Sequence, residues 1–237
     1  MDLKELTILA DSVGEHWYYR SKFEAVRWML RGVEPKAILD VGAGSGFFAA
    51  EMLARGGAAE ATCIDPAYDR DFDEDRCGKP LRFRRTCASS AADCVLLLDV
   101  LEHVRDDRAF LRGYAERAPA GGHFLVTVPA FTMLWSDHDV FLGHYRRYRL
   151  SHLEDVVSSA GLRVLRGAYY FGLVFPVALA RRFARGARPG AAVLRSDLRR
   201  HHPAVNRLLA AVCRAELPLL AVNRVGGLSA MCLARKE

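Results

Sequence analysis

The stretch DVGAGSG is the first part of the sequence whose residue types indicate chemistry. Gly42, Gly44 and Gly46 occupy every second position between two apolar runs, the first of which ends at Asp40. Glycine permits positive φ, and its missing Cβ lets a ligand approach the backbone. Asp65 ends the next apolar run, about twenty residues after the glycines. An acid at this sequence spacing can accept hydrogen bonds from ribose hydroxyls. The spacing GxGxG differs from the GxGxxG of dinucleotide enzymes, which argues against a nicotinamide cofactor.

Three histidines in two segments are the candidates for a general base. His103 lies in DVLEHV, and His138 and His144 lie in SDHDVFLGHYRRY. The unperturbed pKa of histidine suits proton transfer near neutral pH. Asp137 and Asp139 flank His138, and either could orient its ring. Packing of these side chains under a loop is the alternative interpretation.

Aromatic and basic residues around His144 are the candidates for acceptor binding. Tyr145, Arg146 and Tyr148 follow the histidine, and Trp135 precedes it. Such a cluster could bind an anionic or aromatic acceptor. In the alternative, the arginines lie on the surface and the tyrosines pack under the loop.

Strand-like and helix-like segments alternate from residue 37 to residue 131. This alternation is typical of right-handed βαβ units and an open parallel sheet with helices on both faces. Ligands of such sheets bind at the carboxyl ends of the strands. Asp40, Asp65, Asp99 and Pro129 all fall at or near such ends. Strands are predicted at residues 37–41, 60–65, 81–86, 93–100, 123–131, 163–174 and 228–236.

Several motifs together resemble the class I S-adenosylmethionine-dependent methyltransferases. DVGAGSG, CIDP and LLLDVLEHV are similar to motifs I, II and IV of that family. HWYYRSKFEAV and WSDHDVFLGHYRRYRLSHLEDVVSSAGL resemble segments of one small-molecule branch. The resemblance covers residues 16 to about 165. It implies an α/β, Rossmann-like, doubly wound sheet of seven mostly parallel strands, with an antiparallel last strand.

The resemblance also implies S-adenosyl-L-methionine as cofactor, a small-molecule acceptor and a role for each motif residue. Gly42, Gly44 and Gly46 would face the methionine moiety and the ribose. The resemblance implies that Asp40 contacts the amino group of the cofactor and that Asp65 contacts its ribose diol. Asp99 and Val100 would lie near the sulfur. Tyr18, Tyr19 and Arg20 would cover the cofactor, with Arg20 on its carboxylate. RRTCASSAADC lacks the acid that usually meets the adenine amino group.

The spacing Asp99-x-x-Glu102-His103 has a second interpretation, since some relatives use acids and a histidine there to bind a metal. The preferred interpretation is that Glu102 and His103 cap and pack the following helix. We therefore predict no metal site.

The C-terminal third of the chain carries most of the positive charge. Residues 163–237 contain fourteen Lys and Arg and three Asp and Glu, on a chain whose net charge is +6. Such a surplus favours an anionic partner. Residues 175–227 are predicted to be helical and to be inserted before the last strand. They form either a cap that shapes the acceptor pocket or an interfacial element in which residues 168–225 contact an anionic membrane.

The predicted organisation is an N-terminal helical lid (1–34), a cofactor-binding core (35–174), the helical insertion (175–227) and a final core strand (228–237). The six cysteines show no CxxC pair, so free thiols and a cytoplasmic location are expected. Contact with the inner face of the membrane belongs to the interfacial interpretation of the insertion, and the cap is the preferred interpretation. Absence of an N-P-P-Y motif argues against nucleic acid. A nicotinamide-dependent oxidoreductase and a non-catalytic, membrane-associated cofactor-binding module are the alternatives. The sequence does not define the oligomeric state.

Overall fold

The computed structural model describes residues 10–87, 91–185 and 201–237, which form one mixed sheet flanked by helices. The strands are β1 (Ala37–Val41), β2 (Glu60–Ile64), β3 (Phe72–Asp75), β4 (Pro80–Arg84), β5 (Cys94–Leu98), β6 (His123–Pro129), β7 (Leu162–Tyr170) and β8 (Ser229–Lys236). The α-helices are α1 (Trp17–Met29), α2 (Phe47–Arg55), α3 (Asp107–Arg117), α4 (Asp137–Leu142), α5 (Leu150–Ser159), α6 (Phe175–Arg185) and α7 (Pro203–Glu216). Short 3₁₀ turns span Ala10–Glu15, Leu101–His103, Thr132–Leu134 and Leu217–Ala221.

The strand order β3-β4-β2-β1-β5-β6-β8-β7 confirms the predicted fold class. Strands β4, β2, β1, β5 and β6 are parallel, and β8 is antiparallel to both β6 and β7. The chain runs outward from β1 to β2 and β4, and then returns to β5 on the other side of β1. This reversal is the topological switch point at which ligands of doubly wound sheets bind.

The predicted strand count was wrong by one. The described residues contain eight strands, because β3 adds to the edge of the sheet, antiparallel to β4. Its sequence FDED is exposed at every position, so it has no alternation of apolar and polar residues that could have indicated a strand. The Phe72 ring stacks on Phe83 of β4 with centroids 4.3 Å apart, and this contact holds β3 against β4.

Two hydrophobic layers cover the two faces of the sheet. One layer contains residues of α1, α2 and α7, and the other contains residues of α3 and α5. In β5 the side chains of Leu96 and Leu98 face the first layer, and those of Val95 and Leu97 face the second. Burial on both faces explains why this central strand is continuously apolar.

The insertion before the last strand contains α6 and α7. Helix α7 packs against α1, and the turn Leu217–Ala221 contacts α1 and β7. Residues 186–200 of the predicted insertion lie outside the described residues. Among the helices that are described, none is long and apolar enough to span a membrane.

Candidate functional site

The glycine-rich loop connects the end of β1 to the start of α2. Gly42, Gly44 and Gly46 all have positive φ, between 55° and 71°. A Cβ at Gly42 would lie 2.8 Å from Cγ2 of Val100, and one at Gly46 would lie 2.7 Å from Cε1 of Phe83. Both the backbone conformation and the close neighbours therefore require glycine here.

Asp65, directly after β2, holds this loop in place. Its Oδ2 accepts a hydrogen bond from the Gly44 N–H at 3.0 Å, and its Oδ1 accepts one from the Ala67 N–H at 3.0 Å. The Tyr68 hydroxyl donates to the Gly44 carbonyl at 2.7 Å. A carboxylate has about four acceptor positions, so Asp65 can accept two further donors such as a pair of ribose hydroxyls.

Asp40 is a buried acid beneath the loop. Its Oδ2 has no hydrogen-bond partner within the described part of the chain, although the backbone N–H of Ala49 bonds the carboxyl group. Burial raises the pKa of Asp40 to about 7, and the negative charge of Asp65 contributes to the rise. An incompletely bonded, buried carboxyl group fits a cationic donor such as an ammonium group.

Asp99, directly after β5, lies near the middle of the row formed by the carboxyl ends of the strands. Its φ of 57° is unusual for a residue other than glycine, and such strain is concentrated at functional sites. The carboxylate forms an ion pair with the buried Lys22 and accepts a hydrogen bond from Thr127 Oγ1 at 3.0 Å. The Tyr18 hydroxyl lies 3.4 Å away. Burial acts to raise the pKa of Asp99, but Lys22 outweighs it and the net shift is downward.

Helix α1 therefore brings Tyr18 and Lys22, one helical turn apart, to the strand ends. The structure places Arg20 on another face of the helix, in a cleft that also includes Glu24, Glu51, Arg55 and Arg214. Tyr19 is buried among the core residues. Sequence reasoning missed Lys22, although its i, i+4 spacing from Tyr18 was a signal that could have found it.

Two aromatic residues with strained backbone conformations follow the carboxyl ends of β6 and β7. Phe131 follows β6 with a φ of 56°, and Phe171 follows β7 with a φ of 62°. Phe171 stacks on the Tyr18 ring with centroids 5.2 Å apart, and Phe131 stacks on Tyr169 at 4.9 Å. Tyr18 and Phe131 are partly exposed and can line the site, and the fully buried Phe171 packs against the Tyr18 ring. We call these three residues the aromatic wall.

A second polar cluster lies in the loop after β6. His144 Nδ1 is 2.9 Å from Oδ1 of the buried Asp139. Arg147 donates to both carboxylate oxygens of Asp139, at 2.7 and 2.9 Å, and the Ser136 N–H donates to Oδ2 at 2.8 Å. Burial acts to raise the pKa of Asp139, but the bonds from His144 and Arg147 lower it well below its usual range. Asp139 thus orients His144, whereas the sequence interpretation had paired it with His138.

The three predicted histidines lie near one another. The His144 ring centroid is 4.6 Å from that of His103 and 6.4 Å from that of His138. Glu102 joins them, because one potential ligand atom each of Glu102, His103 and His144 lies within 4.8 Å of the others. Neither Glu102 carboxyl oxygen has a hydrogen-bond partner among the described residues. Burial raises the pKa of Glu102 well above its usual value, and the charge of Asp99 adds to this.

The predicted acceptor-binding residues divide into two groups. Tyr148 is fully buried, and its hydroxyl donates to Asp107 Oδ2 at 2.7 Å. Arg146 pairs with the same Asp107 at 3.0 Å. These contacts are those of packing residues under the loop. Tyr145 is half exposed and Trp135 is partly exposed, so both can be reached from solvent.

Comparison with known proteins places the chain in a family. Residues 15–166 match the family described as "Methyltransferase domain". This match covers more than half of the chain, and the chain therefore belongs to that family. S-adenosylmethionine is the cofactor of this class of proteins, which confirms the predicted cofactor. A search of curated proteins found no match.

Solved structures share the fold at low sequence identity. The methyltransferase bound to the Trm112 activator of Haloferax volcanii has a TM-score of 0.58 at 16% identity, over 99% of this chain and 97% of that one. The [4+2]-cyclase SpnF has a TM-score of 0.55 at 18% identity, over 92% and 82%. A SAM-dependent methyltransferase from Archaeoglobus fulgidus has a TM-score of 0.52 at 16% identity, over 91% and 94%. A cyclase among these neighbours illustrates that the fold alone does not define the reaction.

The residues at the strand ends fit S-adenosylmethionine. The incompletely bonded Asp40 matches its ammonium group, and the remaining acceptor capacity of Asp65 matches its ribose diol.

Proposed function

We propose that this protein catalyses methyl transfer from S-adenosylmethionine to a small, apolar or lipid-linked acceptor, an activity of the EC 2.1.1 class. The observation that carries the proposal is the grouping of Asp40, Asp65 and Asp99 at the ends of β1, β2 and β5, around the switch point of the sheet. Family membership supports the methyltransferase class. The acceptor class rests on the aromatic wall and on the surface of α6.

Within this proposal the strand-end residues bind the cofactor. Asp65 accepts hydrogen bonds from the ribose hydroxyls, Asp40 lies near the ammonium group, and Gly42, Gly44 and Gly46 lie along the methionine moiety. Lys22 replaces Arg20 as the cation for the cofactor carboxylate, because Lys22 is the basic residue of α1 beside Asp99. Asp99 then fixes the position of Lys22 as well as lining the site.

The cofactor, when bound, would supply a methyl group activated by the sulfonium: the bond from the acceptor atom to the methyl carbon would form in line as the S–CH3 bond breaks, with S-adenosylhomocysteine as the leaving group. Holding the two reactants in line supplies much of the rate, and this is the task of Tyr18, Phe131 and Phe171. If the acceptor is a hydroxyl or an ammonium group, its proton must also leave. His144 takes that proton at Nε2, since its Nδ1 is engaged by Asp139. His103 and His138 border the same space and position the acceptor.

The segments outside the core shape access to the site. We propose that residues 1–34, of which residues 1–9 lie outside the described part of the chain, act as a lid, because α1 covers Asp99. We propose that residues 175–227 act as a cap, because α7 packs on α1. Tyr145 and Trp135 would line the entrance. The six free cysteines support a cytoplasmic location.

Calorimetric titration with S-adenosylhomocysteine tests the cofactor site. We expect the wild-type protein to bind it, NAD to show no binding, and Asp65→Ala to weaken binding at least about tenfold, the loss of two charge-assisted hydrogen bonds. Asp69→Ala is the matched control, since Asp69 is an exposed acid nearby. No binding of S-adenosylhomocysteine would overturn the proposal.

A second assay separates an enzyme from a non-catalytic cofactor-binding module. The protein is incubated with methyl-tritiated S-adenosylmethionine and a total cell extract, which is then divided into organic and aqueous phases. Tritium in the organic phase above the level given by Asp65→Ala would support an apolar acceptor. Tritiated product that stays in the aqueous phase after the unreacted donor has been removed would contradict it. Cofactor binding without transfer into either phase would favour the module.

A further inference from the structure

Apolar side chains are exposed along the outside of the C-terminal helices. The soluble surface of a monomer rarely carries a large continuous apolar patch without a binding partner. On α6 and α7 and in the segment after them, the six most exposed large apolar side chains among the described residues are Val177 (61% exposed), Phe183 (69%), Leu208 (64%), Leu219 (47%), Val222 (73%) and Val225 (90%). We call these six residues the outer apolar surface.

The helical period shows that this surface is organised rather than scattered. The exposed positions of α6 whose side chains are described are Pro176, Val177, Ala180, Arg181, Phe183 and Ala184, of which only Arg181 is polar. Along α7 and the following 3₁₀ turn, Leu208, Ala211, Ala215, Leu219 and Val222 are exposed at intervals of three or four residues. Each helix thus directs an apolar stripe away from the protein core.

The charged residues on the described parts of α6 and α7 are almost all positive. Arg181 on α6 and Arg207 and Arg214 on α7 are exposed, and Glu216 is the one acid in the described stretches 171–185 and 201–225. Glu216 is buried and accepts hydrogen bonds from the N–H groups of Gly172 and Leu173 at 2.6 and 3.1 Å. Its charge is therefore used inside the protein and does not offset the arginines at the surface.

An apolar face bordered by arginines fits one partner best, a bilayer that contains anionic lipids. The apolar side chains can enter the acyl region while the arginine side chains extend to the headgroups. A second copy of the chain fits less well, because a symmetric interface would bring the same arginine-rich surface against itself. Like charges at such an interface oppose association.

Aromatic contacts connect the start of α6 to the proposed acceptor site. The Phe175 ring at the start of α6 lies 5.4 Å from that of Phe131, and α6 packs on the turn Thr132–Leu134. Phe171, just before α6, stacks on Tyr18, whose hydroxyl faces Asp99. Aromatic side chains therefore lead from the surface to the strand ends.

We propose that the outer apolar surface docks the protein on an anionic bilayer and that the acceptor is a lipid-soluble molecule, which enters from the bilayer along Phe175, Phe131 and Tyr18. The acceptor part of this inference rests on the proposed function. The docking part does not, because it concerns α6 and α7 alone.

Vesicle flotation tests the docking surface. The full-length protein is mixed with vesicles of phosphatidylcholine alone or with about 30% phosphatidylglycerol, at low and at high salt. We expect it to float with the anionic vesicles at low salt. The double variant Val177→Glu, Phe183→Glu should lower the partition coefficient at least about tenfold, since two charges would have to enter the apolar region. Leu165→Glu, at an exposed apolar residue on β7, is the matched control and should float like wild type.

Titration with S-adenosylhomocysteine is repeated on the double variant. Unchanged binding together with lost flotation would support the docking surface and show that the variant is folded. Failure of wild type to float with either type of vesicle, or equal flotation of wild type and double variant, would overturn the docking proposal even where the cofactor still binds. A concentration-dependent dimer that the same substitutions dissociate would overturn it in favour of self-association.

Discussion

The imidazole Nδ1 of His144 lies 2.9 Å from Oδ1 of Asp139, inside a loop that Arg147 fastens to the same carboxylate. This bond fixes the orientation of the ring and leaves Nε2 as the nitrogen that can accept a proton. The rigidity comes from Arg147, whose guanidinium binds both oxygens of Asp139. A histidine that is held in this way is suited to act as a general base rather than to respond to solvent.

Replacing His144 should slow methyl transfer without weakening the binding of the cofactor. We expect His144→Gln to lower kcat by about 10²- to 10⁴-fold at neutral pH, the usual contribution of a general base, and to leave the S-adenosylhomocysteine Kd unchanged. His152→Gln, at an exposed histidine of α5, is the control and should keep wild-type activity. Activity that EDTA abolishes and Mn²⁺ restores would contradict this role and assign His144 to a metal.

Replacing Asp139 should reduce the free energy of unfolding and change its dependence on pH. We expect Asp139→Asn to cost about 3–5 kcal/mol at pH 7, because Arg147 would be left without its buried partner. The pKa of Asp139 is depressed in the folded protein. Its stabilisation is therefore complete above about pH 5, where the unfolded chain is also ionised, and is lost progressively as the pH falls below that value.

Urea unfolding at pH 7, 5 and 3 measures this effect. The wild-type protein should lose stability between pH 5 and 3 more steeply than the Asn variant. Arg147→Lys, which keeps the charge but not the paired geometry, should give an intermediate loss. Equal pH dependence in wild type and Asp139→Asn would show that Asp139 does not titrate as the structure indicates.

The sequence predicted the parallel sheet and the acids at its edge, because period and strand ends are local properties of the chain. It did not predict Lys22: the i, i+4 spacing places Lys22 on the same face of α1 as Tyr18, but that this face contacts Asp99 depends on how α1 packs on the sheet. Tyr148 is likewise of a residue type that often binds ligands, but its hydroxyl donates a hydrogen bond to Asp107 inside the protein. Such choices depend on tertiary contacts, which no motif encodes.

Cofactor binding by two variants shows whether Lys22 or Arg20 contacts the cofactor carboxylate. We expect Lys22→Met to weaken S-adenosylhomocysteine binding about tenfold or more, because the cofactor carboxylate would lose its cation and Asp99 would repel it. Arg20→Met should have little effect, since Arg20 lines a separate cleft. Calorimetry at low and moderate salt measures both variants. The opposite ranking would return the carboxylate contact to Arg20.

Asp40 should link cofactor binding to a proton. Because its folded pKa is raised to about 7, the folded protein holds a proton that the unfolded chain releases near pH 4. Stability should therefore fall as the pH rises from about 4 to 7, by up to roughly 4 kcal/mol. A nearby ammonium group lowers the pKa again, so S-adenosylhomocysteine binding at pH 7 should release protons.

Calorimetry in two buffers of different ionisation enthalpy measures the number of protons released. The wild-type protein should show a clear difference in apparent binding enthalpy between the buffers, and Asp40→Asn should show much less. The Asn variant should also unfold with a weaker pH dependence between pH 5 and 7. Proton uptake on binding would exclude Asp40 as the partner of the ammonium group.

Gly46 should be the most sensitive glycine of the loop to an added methyl group. Its φ is 71°, and a Cβ there would lie 2.7 Å from the ring of Phe83. Because that ring is already stacked on Phe72 at 4.3 Å, it has little room to move. We expect Gly46→Ala to cost about 1–3 kcal/mol of stability and to weaken S-adenosylhomocysteine binding. Gly57→Ala is the control, because a Cβ at Gly57 meets no atom within 4 Å, and its melting temperature should be close to that of wild type. Equal melting temperatures for the two variants would mean that the loop relaxes around the methyl group, and that the glycine serves the ligand rather than the fold.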